Sequence, residues 1–175
     1  LIWANGGNIT INGAVMGSGN AMISGAATLE LGAESSANVT FGADAAGTLI
    51  LRDPTGCTGT ISGLSSTDHI DLANIRYEIA SLYSITYSLS ANITTLVITD
   101  GTNTDTVNLL GNYTIDTAWH FSDDGHGGTI VSDAPVSPIS ELTSVQLTSA
   151  DNNLLRSPFA DAASDIHIAA PEHSS

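Results

Sequence analysis

A short apolar segment recurs at a spacing of roughly ten residues between Leu1 and Leu72. Each segment alternates apolar with polar residues over a few positions and ends near a glycine, as in "TLELG" and "NVTFG". A strand this short buries too little surface to be stable alone, but strands stacked in register bury a continuous apolar column. The pattern predicts an all-β fold in which residues 1–72 form a parallel β-solenoid, or β-helix. The spacing is set by Leu29, Val39, Leu49, Ile61 and Ile70.

The spacing also bears on the length of each solenoid turn. Three segments of about ten residues would make a coil of about 30 residues, inside the range of about 20–50 residues that structural repeats usually have. Glycine and asparagine between the segments permit the positive φ angles that corners need. The sequence leaves the shape of the coil, triangular or flattened, open. An antiparallel sandwich, whose strands also recur roughly every 8–12 residues, is the alternative.

Residues 73–132 have a different pattern. The apolar segments lengthen into "YSITYSLS", "NITTLVITDG" and "TDTVNLLGNY", which alternate like half-buried antiparallel strands. The stretch "DGTNTD" between two of them has the composition of a turn. Because an open solenoid end exposes unpaired strand edges, we predict that this region is a β-rich antiparallel cap.

Residues 133–175 predict a mostly irregular, acidic and flexible tail. The stretch "SDAPVSPIS" contains two prolines, and only one arginine follows it among several acidic residues. The end of the tail is a candidate export signal. Residues 142–149, "LTSVQLTS", alternate well enough to dock as a strand on the edge of a neighbouring sheet.

The charge balance excludes several function classes. The chain carries 18 acidic and 3 basic residues, a formal net charge of −15, and it contains no lysine. Such a charge repels phosphate groups, so we expect no nucleic-acid binding. No apolar run reaches about 18 residues, so no membrane-spanning segment is predicted. Cys57 is the only cysteine, and its uncharged surroundings predict a buried structural thiol.

Two acidic motifs are candidate calcium sites. Asp68 and Asp71 lie in "STDHIDL", and Asp123 and Asp124 lie in "SDDGHGG". Carboxylate and carbonyl oxygens are the ligands that Ca²⁺ prefers, so Ca²⁺ is the one cofactor that the sequence indicates. Each motif also has a structural interpretation. The first aspartates could cap the backbone amides of a turn, and the second motif could be a tight hairpin turn.

The sequence predicts no catalytic residue. None of the five histidines lies in a G-x-S-x-G elbow or in a cluster with zinc-ligand spacing. A polysaccharide-acting β-helix is the enzymatic alternative, but it needs paired acids, or a base with a cationic partner, in an aromatic groove. Only Arg52, followed by Asp53, offers a cation near the apolar segments. Trp3 and Trp119 would stack on sugars if exposed, or close the ends of the apolar column if buried.

Residues 25–132 contain a frame of short motifs: G-T-L-x-L at 47–51, G-T-I-S-G at 59–63, D-x-I-D-L at 68–72, G-x-Y at 111–113 and D-G-x-G-G-T at 124–129. This frame resembles a module found near the C-termini of very large secreted bacterial proteins, namely repeat-rich adhesins and calcium-binding repeats-in-toxin proteins. Cys57 departs from the frame, where an aromatic residue is expected. The resemblance implies a β-solenoid, an extracellular or cell-surface destination and export through a C-terminal signal, and it implies no active site.

These observations predict a non-catalytic structural module of a secreted or cell-surface, adhesin-like bacterial protein. Its expected partners are other copies or repeats of the same protein and surface glycans. Because the chain begins at Leu1 without methionine, we expect it to be a piece of a longer polypeptide. One alternative is a self-associating subunit of an extracellular matrix or filament. The other is a carbohydrate-binding or carbohydrate-cleaving β-helix fragment.

Overall fold

Eight short strands between Ile2 and Leu72 stack turn upon turn. The computed structural model describes residues 1–77, 82–114 and 117–135. The odd-numbered strands pair in parallel in one sheet and the even-numbered strands pair in parallel in another. The predicted parallel β-solenoid is therefore confirmed, with four turns of two strands each. The strands are β1 (Ile2–Asn5), β2 (Asn8–Ile11), β3 (Asn20–Ser24), β4 (Thr28–Leu31), β5 (Asn38–Phe41), β6 (Thr48–Leu51), β7 (Thr60–Ser62) and β8 (His69–Leu72).

Each turn of the solenoid closes after two strands, so the coil is flattened and has two segments a turn rather than three. Leu29 on β4 lies beside Leu49 on β6, and Leu49 lies beside Ile70 on β8. One corner of the coil adds only single-residue bridges, which join Ser35 to Val15 and to Cys57. This corner is therefore too short to form a third full strand in each turn.

Apolar side chains from both sheets meet in one core. In the even-numbered sheet, Leu29, Leu49 and Ile70 stack as neighbours and each is 0 % exposed. In the odd-numbered sheet, Val39 lies beside Ile61, and both are buried. Full burial of one such side chain contributes about 1.5–3 kcal/mol, so the column supplies the stability that each short strand lacks.

A column of small residues at one corner gives a direct test of this stacking. Gly19, Ala37 and Gly59 immediately precede β3, β5 and β7 and occupy the same place in successive turns. A Cβ at Gly59 would clash with the backbone carbonyl of Ala37, whereas a Cβ at Gly19 would meet nothing within 4 Å. Of these two glycines, only Gly59 is required by the close approach of a neighbouring turn.

We expect Gly59→Ala to lower the free energy of unfolding by about 1–3 kcal/mol, because the added methyl group pushes β7 away from β5. Gly19→Ala is the matched control and should leave the free energy unchanged or raise it by up to about 1 kcal/mol. Urea unfolding monitored by circular dichroism measures both. Equal effects of the two substitutions would contradict the close approach.

Both sheets continue past the solenoid in longer antiparallel strands, as the predicted cap requires. A three-stranded meander joins the odd-numbered sheet through β11, which pairs in parallel with β7. A hairpin joins the even-numbered sheet through β13, which pairs antiparallel with β8. The cap is therefore an extension of the two sheets. Its strands are β9 (Leu82–Ser88), β10 (Ile93–Thr99), β11 (Thr104–Leu110), β12 (Thr117–Asp123) and β13 (Thr129–Pro135).

Aromatic side chains link the two sheets at this end. The ring centroids of Tyr83 on β9 and Phe121 on β12 lie 5.1 Å apart, and the ring centroids of Tyr113 and Trp119 lie 6.2 Å apart. Trp119 is partly buried against the core, in line with closure of the apolar column. Trp3 is instead 53 % exposed on β1.

The predicted boundary between cap and tail falls inside β13, which continues to Pro135. The rest of the predicted tail, with the candidate export signal and the candidate docking strand at 142–149, lies outside the described residues. Within the described ranges, no helix is long and apolar enough to cross a membrane.

Candidate functional site

A polar pocket lies on the outer face of the even-numbered sheet, beside the β12–β13 turn. Its volume is about 190 Å³. It collects residues that are far apart in the sequence, because β13 folds back onto β8 and carries the turn over the solenoid surface. The lining residues are Ile50, Arg52, Asp71, Ala73, Asp124 and His126.

Asp71 enters this pocket from β8. It lies between its register partners Ile50 and Ile130, on the opposite face of the strand from Ile70 and Leu72, which are both 0 % exposed. Asp71 itself is only 9 % exposed, and its Oδ1 atom is buried without a hydrogen-bond partner among the described residues. A buried carboxylate oxygen without a donor is costly, so this position needs an explanation.

Asp124 comes from the β12–β13 turn. Its Oδ1 accepts hydrogen bonds from the backbone N–H groups of His126 (2.6 Å) and Gly128 (2.8 Å). Gly128 packs so closely that a Cβ there would lie 2.9 Å from the Cα of Ala73. The predicted hairpin-turn geometry is present, and it also places the Asp124 carboxylate at the pocket.

The other two candidate calcium residues do not line the pocket. Asp68 is 0 % exposed, and its carboxylate accepts hydrogen bonds from the N–H of Gly47 (3.1 Å), the N–H of Ser65 (3.0 Å) and the hydroxyl of Ser65 (2.7 Å). It therefore ties one turn of the solenoid to the preceding one. Asp123 is exposed and accepts a hydrogen bond from the N–H of Gly125.

Burial and charge together set the electrostatics of the pocket. Burial raises the pKa of Asp71 to about 6, and the nearby Asp124 carboxylate adds to the rise. Arg52 and His126 oppose it. Arg52 also forms an ion pair with Glu30, which lies two strands from Asp71 in the same sheet. The pocket therefore holds more negative than positive charge.

Two carboxylates alone do not make a complete protein cage for a metal ion. In the part of the chain that the structure describes, no three His, Cys, Asp or Glu side chains gather as a metal-binding group. Any cation bound between Asp71 and Asp124 would take its remaining ligands from backbone carbonyls or water.

Sequence reasoning identified Asp71 and Asp124 but missed Arg52 and His126, which line the same pocket, and Glu30, which pairs with Arg52. The place of Glu30 in the same outer row as Asp71 could have been predicted from the strand spacing. Glu30, Ile50 and Asp71 are register partners in successive turns. A coil of three segments would have placed them on different faces. The correct coil length would have brought them together.

Cys57 fits the predicted structural thiol. It is half-buried, and burial raises its pKa to about 11. At neutral pH the thiol is therefore protonated and a weak nucleophile.

A comparison of the chain with protein-family models and with curated proteins finds no match.

Proposed function

We propose that this chain is a non-catalytic structural module of a secreted or cell-surface, adhesin-like bacterial protein. In this role the solenoid is a spacer that holds other parts of the protein apart. Its strength comes from hydrogen bonding and packing between successive turns.

The observation that carries the proposal is that polar side chains on the outer faces bond to the next turn. The hydroxyl groups of Thr40 and Ser62 lie 2.9 Å apart, and Thr60 donates to the side-chain oxygen of Asn38 through both its N–H and its hydroxyl group. On the other sheet, Glu30 accepts a hydrogen bond from Thr10. These ladders use the outward positions to hold turns together, as a mechanical spacer requires.

Composition and resemblance support an extracellular destination. A net charge of −15 without any lysine favours solubility and disfavours adsorption to nucleic acid. The motif frame shared with large secreted repeat proteins points to the same place, and it contributes no catalytic group.

The location can be tested in the bacterium that produces the protein. An antibody against residues 1–135 should label intact cells or detect the protein in the culture medium, and protease added to intact cells should remove the surface label. A cytoplasmic protein is the control and should resist the protease. Labelling that requires cell lysis would contradict the proposed location.

The two alternatives predict different results with the purified chain. A self-associating matrix or filament subunit would increase in mass with concentration in light scattering, through strand edges such as β1 and β2. A carbohydrate-cleaving β-helix would release reducing or unsaturated ends from polysaccharides. We expect neither outcome for a spacer module, and a constant mass together with no product release would favour the spacer.

A further inference from the structure

An asparagine or aspartate stands directly before a glycine at four places in this chain, and the folded structure treats one of them differently from the rest. We propose that Asn12 is a site of spontaneous deamidation, at which the first solenoid turn acquires aspartate and isoaspartate as the protein ages. The modification goes beyond the proposed spacer role and does not depend on it. The four places are Asn5–Gly6, Asn12–Gly13, Asp100–Gly101 and Asp124–Gly125.

The reaction requires attack by the backbone nitrogen of the following residue. The nitrogen of Gly13 loses its proton and attacks Cγ of Asn12, which closes a succinimide ring. The bond between Cγ and the side-chain nitrogen breaks, and that nitrogen takes up a proton and leaves as ammonia. Water then opens the ring: attack at Cγ gives aspartate, and attack at the main-chain carbonyl carbon gives isoaspartate. Glycine favours ring closure because it has no Cβ to obstruct the approach.

Three of the four glycine N–H groups are held in hydrogen bonds. An N–H group that donates a hydrogen bond must give it up before its nitrogen can attack, so each such bond slows ring closure. The acceptors are the carbonyl of Ser24 for Gly6 (3.2 Å), the hydroxyl of Thr99 for Gly101 (3.0 Å) and the carboxylate of Asp123 for Gly125 (2.9 Å).

The two aspartates are also held through their side chains. Oδ1 of Asp100 accepts hydrogen bonds from the N–H groups of Thr102 and Asn103. Oδ1 of Asp124 accepts hydrogen bonds from two N–H groups of its own turn. A fixed, negatively charged carboxylate is a poorer target for an attacking nitrogen than a neutral amide, so the comparison that matters is between Asn5 and Asn12.

Asn12 and Gly13 are unrestrained in comparison. Both are exposed and follow the end of β2, and in the part of the chain that the structure describes neither the Asn12 side chain nor the Gly13 N–H group has a hydrogen-bond partner. A Cβ built at Gly13 meets nothing within 4 Å, so the ring has room to close. Asn5 lies instead within β1, opposite Ser24 in the sheet.

Deamidation changes a corner that packs against the next turn. Residues 1–29 contain no charged side chain, so the product carboxylate is the first charged side chain in this part of the solenoid. Gly32 donates a hydrogen bond to the carbonyl of Ile11 (2.8 Å), and a Cβ at Gly32 would lie 3.2 Å from the Cα of Asn12. Isoaspartate lengthens the main chain by one carbon at this close approach, so it should weaken the pairing of the first turn with the second.

The test is prolonged incubation of the intact folded chain in mildly alkaline buffer, followed by digestion and mass spectrometry. Each deamidation adds about one dalton, because a hydroxyl group replaces an amino group. We expect Asn12 to react about three- to tenfold faster than Asn5, since Asn5–Gly6 must first break a hydrogen bond. In urea, where the fold is lost, the two should react at similar rates. Equal rates in the folded chain, or no reaction at Asn12, would overturn the proposal.

Two variants separate the reaction from its effect on the fold. Gly13 does not have a positive φ and has space for a Cβ, so Gly13→Ala should fold normally and slow deamidation of Asn12 at least about tenfold. Asn12→Asp introduces the charge without the extra main-chain carbon, so protease should cleave the first turn of the isoaspartate form about threefold faster than that of Asn12→Asp. Unchanged deamidation in Gly13→Ala would overturn the reaction, and equal cleavage would overturn its effect on the first turn.

Discussion

Replacing Leu49 with alanine should lower the free energy of unfolding by about 3–5 kcal/mol. Leu49 is 0 % exposed and lies between Leu29 and Ile70 in the column that runs through three solenoid turns. The substitution leaves a cavity that short, hydrogen-bonded strands cannot close by moving together. Urea unfolding followed by circular dichroism measures the loss.

The matched control for this substitution is the next residue on the same strand. Ile50 loses the same number of carbon atoms on replacement by alanine, but it points to the outer face and is only partly buried. We expect Ile50→Ala to cost about 1 kcal/mol. Equal losses for Leu49→Ala and Ile50→Ala would mean that the inner column is not the main source of stability.

The strands of the solenoid could be predicted from the sequence because their causes are local. Alternation in "TLELG" and "TLILR" places Leu29, Leu31, Leu49 and Leu51 on one face, and all four are buried in the core. Glycine, asparagine and aspartate are frequent between the strands and suit corners. No contact between distant residues is needed to reach this part of the prediction.

The length of the coil could not be predicted in the same way, because it depends on which strands pair. The spacing of the apolar segments fits a coil of two or three segments equally well. The number of segments in a turn is set by two sets of contacts. Strand β4 pairs with β6, and Ser35 at the corner forms only single bridges to Val15 and to Cys57. Those pairings join residues that are distant in the sequence, and nothing in one segment specifies its partner.

The pocket depends even more on contacts between residues that are distant in the sequence. Asp71 and Asp124 were each identified from local motifs, but their meeting depends on β13 pairing with β8 across the whole length of the meander.

The burial of Asp105, in contrast, follows from a local pattern. In "TDTVNLL", alternation puts it on the same face as Val107 and Leu109, so its burial was predictable from the strand pattern.

That burial of Asp105 predicts an unusual pH dependence: the protein should become more stable as the pH falls from 7.5 to about 4.5. Burial raises the pKa of Asp105 to about 6, and the pKa of Asp71 is raised to about 6 as well. A carboxyl group with a raised folded-state pKa takes up a proton in the folded protein first, so its stabilising contribution grows as the pH falls through that value. A pKa that is higher by about two in the folded than in the unfolded state adds roughly 3 kcal/mol to the free energy of unfolding once the group is protonated in both states.

A second kind of buried aspartate reverses the trend at lower pH. Asp100 is 2 % exposed, and backbone N–H groups of Asn103, Arg76 and Thr102 donate to it and hold its pKa well below the usual range. Its contribution is present above its unfolded-state pKa of about 3.8 and is lost as the pH falls below that value. We therefore expect the melting temperature to peak between about pH 4 and pH 5, as differential scanning calorimetry would measure.

The same substitution at Asp105 and Asp100 should have opposite effects. Asp105 Oδ1 accepts one hydrogen bond from Asn74, while Asp105 Oδ2 and Asn74 Oδ1 are buried and meet no donor in the described part of the chain. Asp105→Asn removes a buried charge and brings an amide donor, so at pH 7.5 it should raise the free energy of unfolding by about 2 kcal/mol. It should also shrink the stabilisation on acidification to the part that Asp71 supplies.

Asp100→Asn should instead lower the free energy of unfolding by about 2 kcal/mol at pH 7.5. The charged carboxylate is what its three backbone donors and the Arg76 guanidinium, 3.5 Å away, stabilise. Since both residues are buried and undergo the same chemical change, the sign of the effect reports only whether the fold favours the charged or the neutral form. If Asp105→Asn destabilised the protein as much as Asp100→Asn, the core face of β11 would have to hold Asp105 as a charged, satisfied group.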